Sequence, residues 1–327
     1  KRMRAIIPVA GLGSRLKPHT YSIPKVLLQV GNKPILGHIL DKMITAGVDK
    51  ATFVTGHLGD MIKEYVETSY PNLRTDFIEQ KSLDGLGHAI YTAGSTFDEK
   101  EIFIVLGDTV FDFNLEQVFS SPISALGVKT VDDPSRFGVA LMENGNIKQL
   151  IEKPSKPVSN LALVGLYYIK DSQKLLKSLT YMVENDMRTR GEIQLTDALQ
   201  MMIQQGEPFT TFPVDGWLDC GKPETLLETN RYILNKLDST QPIQGVTLIP
   251  PVFIDPTATV EGSVIGPFTS IGAGAVIRDS IIKDSIIGNA ATVERSLLEN
   301  SIIGNKSLIR GNYKRINMGD SSELEFY

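Results

Sequence analysis

The sequence predicts an α/β fold, a mixed and mostly parallel sheet flanked by helices, followed by a separate coil of hexapeptide repeats. Two observations carry this expectation. From residue 4 to about 240, short apolar runs alternate with amphipathic segments, the pattern of successive βαβ units. After Gln244 the texture changes. Aliphatic residues recur at Ile254, Val260, Ile265, Ile271, Ile277, Ile282, Ile287, Val293, Leu298, Ile303 and Ile309, in steps of five or six residues. That period suits neither an amphipathic helix nor a hairpin meander. It suits a triangular coil in which each short strand sends one aliphatic side chain inward.

Each element follows from local pattern. Strands are expected at Arg4–Val9, Lys50–Thr55, Arg74–Ile78, Glu101–Leu106, Ser124–Lys129 and Leu161–Ile169, with helical spacing at Leu36–Ala46, Leu58–Ser69 and Leu86–Ser95 between them. A further helix, Pro223–Leu237, opens with proline, which fits the first helical turn because its missing N–H has no partner there anyway. The polar run Asp238-Ser239-Thr240-Gln241-Pro242 reads as a linker. The expected domains are therefore 1–240 and 245–327. At roughly 18 residues per coil, the second domain would hold three to four coils, enough to bury a continuous core.

Bulk properties narrow the function. A chain of 327 residues exceeds what one hydrophobic core usually serves. The formal charge of −5 argues against a general nucleic-acid binder, so any polyphosphate site must draw on local cations. The single Cys220 excludes a disulfide framework and a cysteine-based zinc cluster within the chain. No apolar run approaches the ~20 residues of a membrane span. The basic start KRMR is followed by no signal-like apolar core, and a cytoplasmic protein is expected.

The most informative stretch is AGLGSRLKPHTYSIPK, Ala10 to Lys25, directly after the apolar run Ala5–Val9. It reads as a strand entering a loop with Gly11 and Gly13, with Arg15 just beyond and Lys25 one short segment further on. Glycine lets backbone N–H groups approach an anion without a Cβ in the way. Two cations beside such a nest suit a polyphosphate, Arg as a fork and Lys as a point charge. The common P-loop and dinucleotide fingerprints are both absent. Taken alone, a glycine pair after a strand is an ordinary tight turn more often than a nucleotide site.

This segment resembles the signature of the sugar-1-phosphate nucleotidyltransferases, close to GGxG(S/T)RLxPxT followed by a PK pair, with Ala10 in place of the first glycine. IPVAGLGSR, Ile7 to Arg15, is similar to the bacterial glucose-1-phosphate uridylyltransferase form. The resemblance implies a Rossmann-like catalytic domain, and the hexapeptide pattern resembles the left-handed β-helix domains that such enzymes often carry at this end. It also implies a reaction. An oxygen of a sugar-1-phosphate attacks the α-phosphorus of a nucleoside triphosphate and pyrophosphate leaves. Two polyanions must meet, so charge compensation is the main task of the site.

The resemblance then distributes roles. Ala10, Gly11, Leu12, Gly13 and Ser14 would form the nucleotide loop, Arg15 would neutralise the leaving phosphates, and Lys25 would bridge attacking and attacked phosphates. Asp108, after the apolar strand Ile104–Leu106, and Asp219, in Trp217-Leu218-Asp219-Cys220-Gly221, would hold Mg²⁺, which takes one or two protein carboxylates. Read alone, Asp108 is a turn-capping residue more often than a metal ligand. Gln80 and a backbone group at Gly85 would read a pyrimidine edge, since a glutamine both donates and accepts. His88 in the string GLGHA either belongs to that group or is a histidine without a role. Arg136-Phe137-Gly138 and Ile151-Glu152-Lys153-Pro154 resemble hexose-side motifs. Gly138 and Glu152 would face the sugar and Lys153 its phosphate; as residues alone, Glu152 and Lys153 are a solvated pair before a proline. Asn160 and Gly165, in NLALVGLYYI, match the next strand lining the hexose pocket, and Arg190-Gly191-Glu192 through Thr196-Asp197 resembles a sugar-side or structural segment.

Alternatives stand beside this reading. UTP and dTTP both fit, and glucose-1-phosphate is the expected sugar substrate, with mannose-, galactose- and N-acetylhexosamine-1-phosphate open beside it. A second, acyl-transferring activity in the coil would need a histidine base, yet His19, His38, His57 and His88 all precede it. A catalytically dead regulatory subunit would normally lack a signature charge, whereas Arg15, Lys25, Asp108, Lys153 and Asp219 are all present. The β-helix makes a homo-oligomer the expected assembly, with no nucleic-acid or membrane partner.

Overall fold

A computed structural model describes residues 3–156, 158–238 and 240–311. The expected linker residue Ser239 and the end of the expected second domain, 312–327, lie outside the described residues. The chain divides into two compact units, Lys1–Leu28 with Lys33–Thr229, and Gln29–Asn32 with Asn230–Tyr327. The division at 229/230 falls inside a helix, not in the polar run at 238–242.

The first unit is built on a nine-stranded sheet. Its elements in order are β1 (Arg4–Pro8), β2 (Gln29–Val30, which belongs to the second unit), β3 (Lys33–Pro34), α1 (Ile35–Thr45), β4 (Lys50–Thr55), α2 (Gly59–Ser69), β5 (Arg74–Glu79), α3 (Leu86–Thr92) and β6 (Ile102–Val105). There follow β7 (Thr109–Asp112), α4 (Leu115–Phe119), β8 (Ser124–Thr130), β9 (Gly138–Glu143), β10 (Asn146–Glu152), β11 (Leu161–Ile169), α5 (Ser172–Glu184), α6 (Leu195–Gln204), β12 (Phe209–Pro213), β13 (Gly216–Asp219) and α7 (Pro223–Leu234).

The strand order is β10-β9-β11-β6-β1-β4-β5, with β8 beside β11 and β12 beside β8. Strands β1, β4, β5, β6, β8, β9 and β12 run one way; β10 and β11 run against them. The sheet is thus mixed and mostly parallel, as expected. Central strands β1, β4 and β6 are buried almost throughout, which is why they read as unbroken apolar runs. Ile6, Val54, Ile104, Leu126 and Ile169 pack with Ile90 of α3, Leu175 and Leu179 of α5 and Leu199 of α6 into one core. Ligands in such sheets bind beyond the carboxyl ends of the strands. Here that edge carries the glycine loop after β1, Gln80 after β5 and Asp108 after β6.

The second unit stacks short parallel strands into three faces of four, β14-β17-β20-β23, β15-β18-β21-β24 and β16-β19-β22-β25, spanning Thr247–Leu248 (β14) to Leu308–Arg310 (β25). This is the β-helix that the repeat predicts. The periodic aliphatics Ile254, Val260, Ile265, Ile271, Ile277, Ile282, Ile287 and Val293 fill its interior, with Leu298, Ile303 and Ile309 against them. Coils are tighter than the expected 18 residues. Ile265 registers with Ile282 and Ile282 with Leu298, giving steps of 17 and 16. The five-residue steps in the sequence account for the shortening. Corners repeat with the coil: Phe268, Asp284 and Asn300 share a left-handed backbone, φ +58°, +48° and +48°. A serine ladder closes another corner, with the Ser280 N–H donating to Ser263 Oγ and the Ser296 N–H to Ser280 Oγ.

Candidate active site

Two adjoining cavities open at the carboxyl edge of the first unit. One, of about 440 Å³, is lined by Ala10, Gly11, Gly13, Ser14, Lys25 and Gln80, among others. The second, of about 520 Å³, is lined among others by Gly138, Glu152, Lys153, Gly165, Trp217 and Asp219. Arg15, Leu86, Leu106, Asp108 and Glu192 line both, so the charged residues Arg15, Asp108 and Glu192 stand where the cavities meet.

The glycine loop builds the first wall. Gly13 has φ +60° and its carbonyl accepts from Thr20 Oγ1 at 2.8 Å, which turns the chain into a 3-10 segment, Ser14–Leu16. At Gly11 an added Cβ would meet nothing of the protein within 4 Å. Its small size leaves the loop face open towards the cavity. Lys25 follows on another 3-10 turn, Lys25–Leu27, and its Nζ lies 2.6 Å from Asp108 Oδ2. The Lys25 side chain is only 10% exposed, so the Asp108 carboxylate offsets the cost of burying its charge.

Asp108 and Asp219 are brought together by pairing of β7 with β13. Asp219 registers with Thr109, and the Cys220 N–H donates to the Asp108 carbonyl at 3.2 Å. A Cβ on Gly221 would fall 2.9 Å from Asp219 Oδ1 and 3.0 Å from the Arg15 guanidinium. Arg15 and Asp219 therefore flank one bare stretch of backbone. Burial pushes the intervening Cys220 thiol up to about 12, which makes it an inert neutral filler. Two carboxylates on one cavity wall fit a hard, oxygen-seeking cation that keeps most of its shell for water and phosphate. Among the described residues, no group of three or more His, Cys, Asp or Glu side chains converges, as a zinc site would require.

Glu152 ends β10 opposite Gly138, and its Oε2 accepts from Thr196 Oγ1 at 2.6 Å. Burial raises its pKa; the Thr196 bond and the neighbouring Lys153 pull it back, while Asp197 adds to the rise. Lys153 takes the left-handed conformation, φ +43°, and is held by its N–H to Phe137 O at 2.9 Å and by Arg190 donating to its carbonyl at 2.7 Å. The tight turn Thr189–Glu192, with Arg190 and Gly191 at φ +53° and +83°, ties both cavities together. On its far side the Ile193 N–H bonds Asp84 O, and the Gly87 N–H bonds Ile193 O. Gly85 sits under that crossing at φ +104°, where a Cβ would fall 2.7 Å from Ile193 O.

Residues 4–236 match the nucleotidyl transferase family, and residues 248–319 match the GMPPB C-terminal domain. The chain belongs to the nucleotidyl transferase family. Within it, the chain is 34% identical over 266 residues to the bifunctional protein GlmU of Methanocaldococcus jannaschii, covering 80% of this chain and 60% of that one. This chain thus spans about three fifths of that relative's length. It is 30% identical over 314 residues to the glucose-1-phosphate thymidylyltransferase of Streptomyces griseus, covering 87% of each. The crystal structure of apo-UDP-glucose pyrophosphorylase superposes with a TM-score of 0.64 at 26% identity, over 72% of this chain and 99% of that one.

As a nucleotidyl transferase family member, the chain holds most of the residues singled out from sequence at one sheet edge. Two lie apart. Leu12 is 52% exposed and lines neither cavity. Asn160 is exposed beyond the cavities, its carbonyl accepting from the Val131 N–H. Sequence reasoning singled out no individual residue of the segment that supplies Glu192, Gln194 and Thr196, and it missed Thr109 and Lys222. The resemblance at Arg190–Asp197 pointed to the segment. The partner of Glu152 within it emerges only when α6 is placed beside β10.

Proposed function

We propose that the protein is a nucleotidyltransferase that joins a pyrimidine nucleoside triphosphate, UTP or dTTP, to a hexose-1-phosphate, glucose-1-phosphate foremost, releasing pyrophosphate. The observation that carries this is the Lys25–Asp108 pair beside the junction of two cavities, one walled by the glycine loop and Gln80, the other by Gly138, Glu152 and Gly165. Arg15 and Lys25 offset the triphosphate's charge, Gln80 and Gly85 face the base, and Lys153 holds the sugar phosphate at the junction.

The sugar phosphate is already ionised near neutral pH, so no general base is required. Its oxygen forms the new bond to the α-phosphorus as the bond to the β-phosphate oxygen breaks, and pyrophosphate carries away the electron pair. Alignment and fixed positive charge do the catalysis. Asp108 and Asp219 would hold Mg²⁺, whose charge offsets the phosphates. We assign residues 1–240 to the catalytic domain and 245–327 to a β-helix domain that supports self-association.

Calorimetric titration with UTP, dTTP and ATP in Mg²⁺ tests the nucleotide half of this reading. Tight binding of UTP or dTTP, weakened at least about tenfold in Gln80→Ala as expected for loss of paired polar contacts, supports it. Equal affinity for ATP contradicts it.

A further inference from the structure

Gln80 is only 7% exposed, and its Nε2 lies 3.2 Å from Nδ1 of His88. The backbone beneath it is pinned, because the Gln80 N–H donates to Thr55 O at 2.8 Å. Gln80 lines the first cavity; His88, on the first turns of α3, is not among the lining residues, although Leu86 and Ala89 beside it are. His88 is itself anchored, its carbonyl accepting from Thr92 Oγ1 at 2.8 Å. The histidine therefore meets the cavity through the glutamine.

A carboxamide has two nearly isosteric orientations with opposite hydrogen-bonding patterns. The 3.2 Å pairing fits either ring tautomer: with the proton on Nε2, Nδ1 accepts from the Gln80 NH₂ group; with it on Nδ1, the ring donates to the carbonyl oxygen of a turned amide. In the Nε2–H form, a turned amide would set its carbonyl oxygen against the Nδ1 lone pair. We propose that His88, as its Nε2–H tautomer, is a positioning residue that fixes which way the Gln80 amide faces, and thereby selects uracil or thymine over cytosine. This rests on the pyrimidine reading of the first cavity. Held by His88, the amide keeps Oε1 and one N–H for the base. Those match the N3–H donor and flanking carbonyl acceptor of uracil or thymine. Cytosine presents an N3 lone pair and an amino donor instead, so the same amide meets it with mismatched groups, a form of discrimination against the wrong ligand.

The test compares wild type, His88→Leu and His88→Asn by kcat and KM for UTP and CTP with glucose-1-phosphate, and by calorimetric affinity for both nucleotides. Leu removes the acceptor; Asn places Oδ1 near the position of Nδ1. The expected result is a fall of about tenfold in the UTP-to-CTP preference of His88→Leu, the worth of one hydrogen bond. The change should lie in KM and affinity rather than in kcat for UTP, with the preference largely retained in His88→Asn. An unchanged preference in His88→Leu overturns the inference alone. Equal losses for both nucleotides in both variants also overturn it, by showing a structural role. A wild type that does not distinguish UTP from CTP overturns the inference but leaves the pyrimidine reading standing, whereas a wild type that binds ATP as tightly as UTP removes that reading and the inference with it.

Discussion

The Lys25 ammonium lies 2.6 Å from the Asp108 carboxylate across 83 residues of sequence. The lysine is nearly buried and the aspartate 39% exposed. The pair places a fixed cation against a carboxylate that still opens to the cavity.

Replacing Lys25 with Met should lower kcat by at least about 100-fold, the scale seen when a fixed transition-state charge is removed. Its melting temperature should change little, because Asp108 remains solvated. Steady-state kinetics with a thermal melt would show this; a variant within threefold of wild type in kcat would contradict the role given to Lys25.

Glu152 makes a pH-dependent prediction. Its folded pKa is raised by burial, so the native state holds this proton more tightly than the unfolded chain. Stability is then lost as pH rises from the ordinary carboxylate value through the raised one, and the ionised group is a cost at neutral pH. Glu152→Gln should melt no lower than wild type at pH 8, with any advantage shrinking towards pH 5. Its KM for the sugar phosphate should rise roughly tenfold as a charged acceptor is lost. Melts across pH together with KM values check both halves.

At the opposite edge of the sheet, Arg4 is 6% exposed and forks onto Asp98 at 2.8 and 3.0 Å, bonds Thr52 at 2.9 Å and pairs with Asp76. The Arg4 hydrogen bond holds the Asp98 carboxyl well below the usual range against the opposing effect of burial, and Lys50 adds to it. That stabilisation is complete above the ordinary carboxylate pKa of about 3.9 and disappears as pH falls through the depressed value. Arg4→Met should cost about 2 kcal/mol at pH 7, discounted from the full value for a buried pair because both carboxylates are half exposed. Asp98→Asn should flatten the acid limb of a stability-against-pH curve measured by urea denaturation.

Much of this architecture is legible because burial writes itself into residue spacing. Each of the periodic aliphatics from Ile254 to Ile309 packs in or against the interior of the β-helix, since a triangular coil admits one inward side chain per short strand. The buried central strands declare themselves in the same way. The hairpin of β9 and β10 is only half legible: Asn144-Gly145, at φ +52° and +80°, is a strong turn signal. The flanking strand Asn146–Glu152 buries only Ile147 and Leu150 fully, so it lacks an apolar run. Helix α5 also carries a local start signal, Asp171, which caps it by accepting from the Lys174 N–H at 3.0 Å.

At the site, legibility followed local motif and failed for contacts made across the fold. The Gly11–Arg15 loop and the Gly107-Asp108 strand end are local motifs, and the family resemblance that they carry supplies their chemistry. The bonds Gln80–His88, Thr196–Glu152 and Arg190 to the Lys153 carbonyl depend on how loops and helices meet above the sheet. No spacing rule predicts them. Asn160 shows the converse: a residue matched by motif whose side chain lines neither cavity.

The most direct measurement of the central claim is pyrophosphate release with Mg²⁺ and glucose-1-phosphate, testing UTP, dTTP, ATP, GTP and CTP in parallel. Turnover with UTP or dTTP should exceed that with the purine nucleotides and be lost in Lys25→Met. Silence with every nucleotide across a panel of hexose-1-phosphates, or a preference for ATP or GTP, would contradict it.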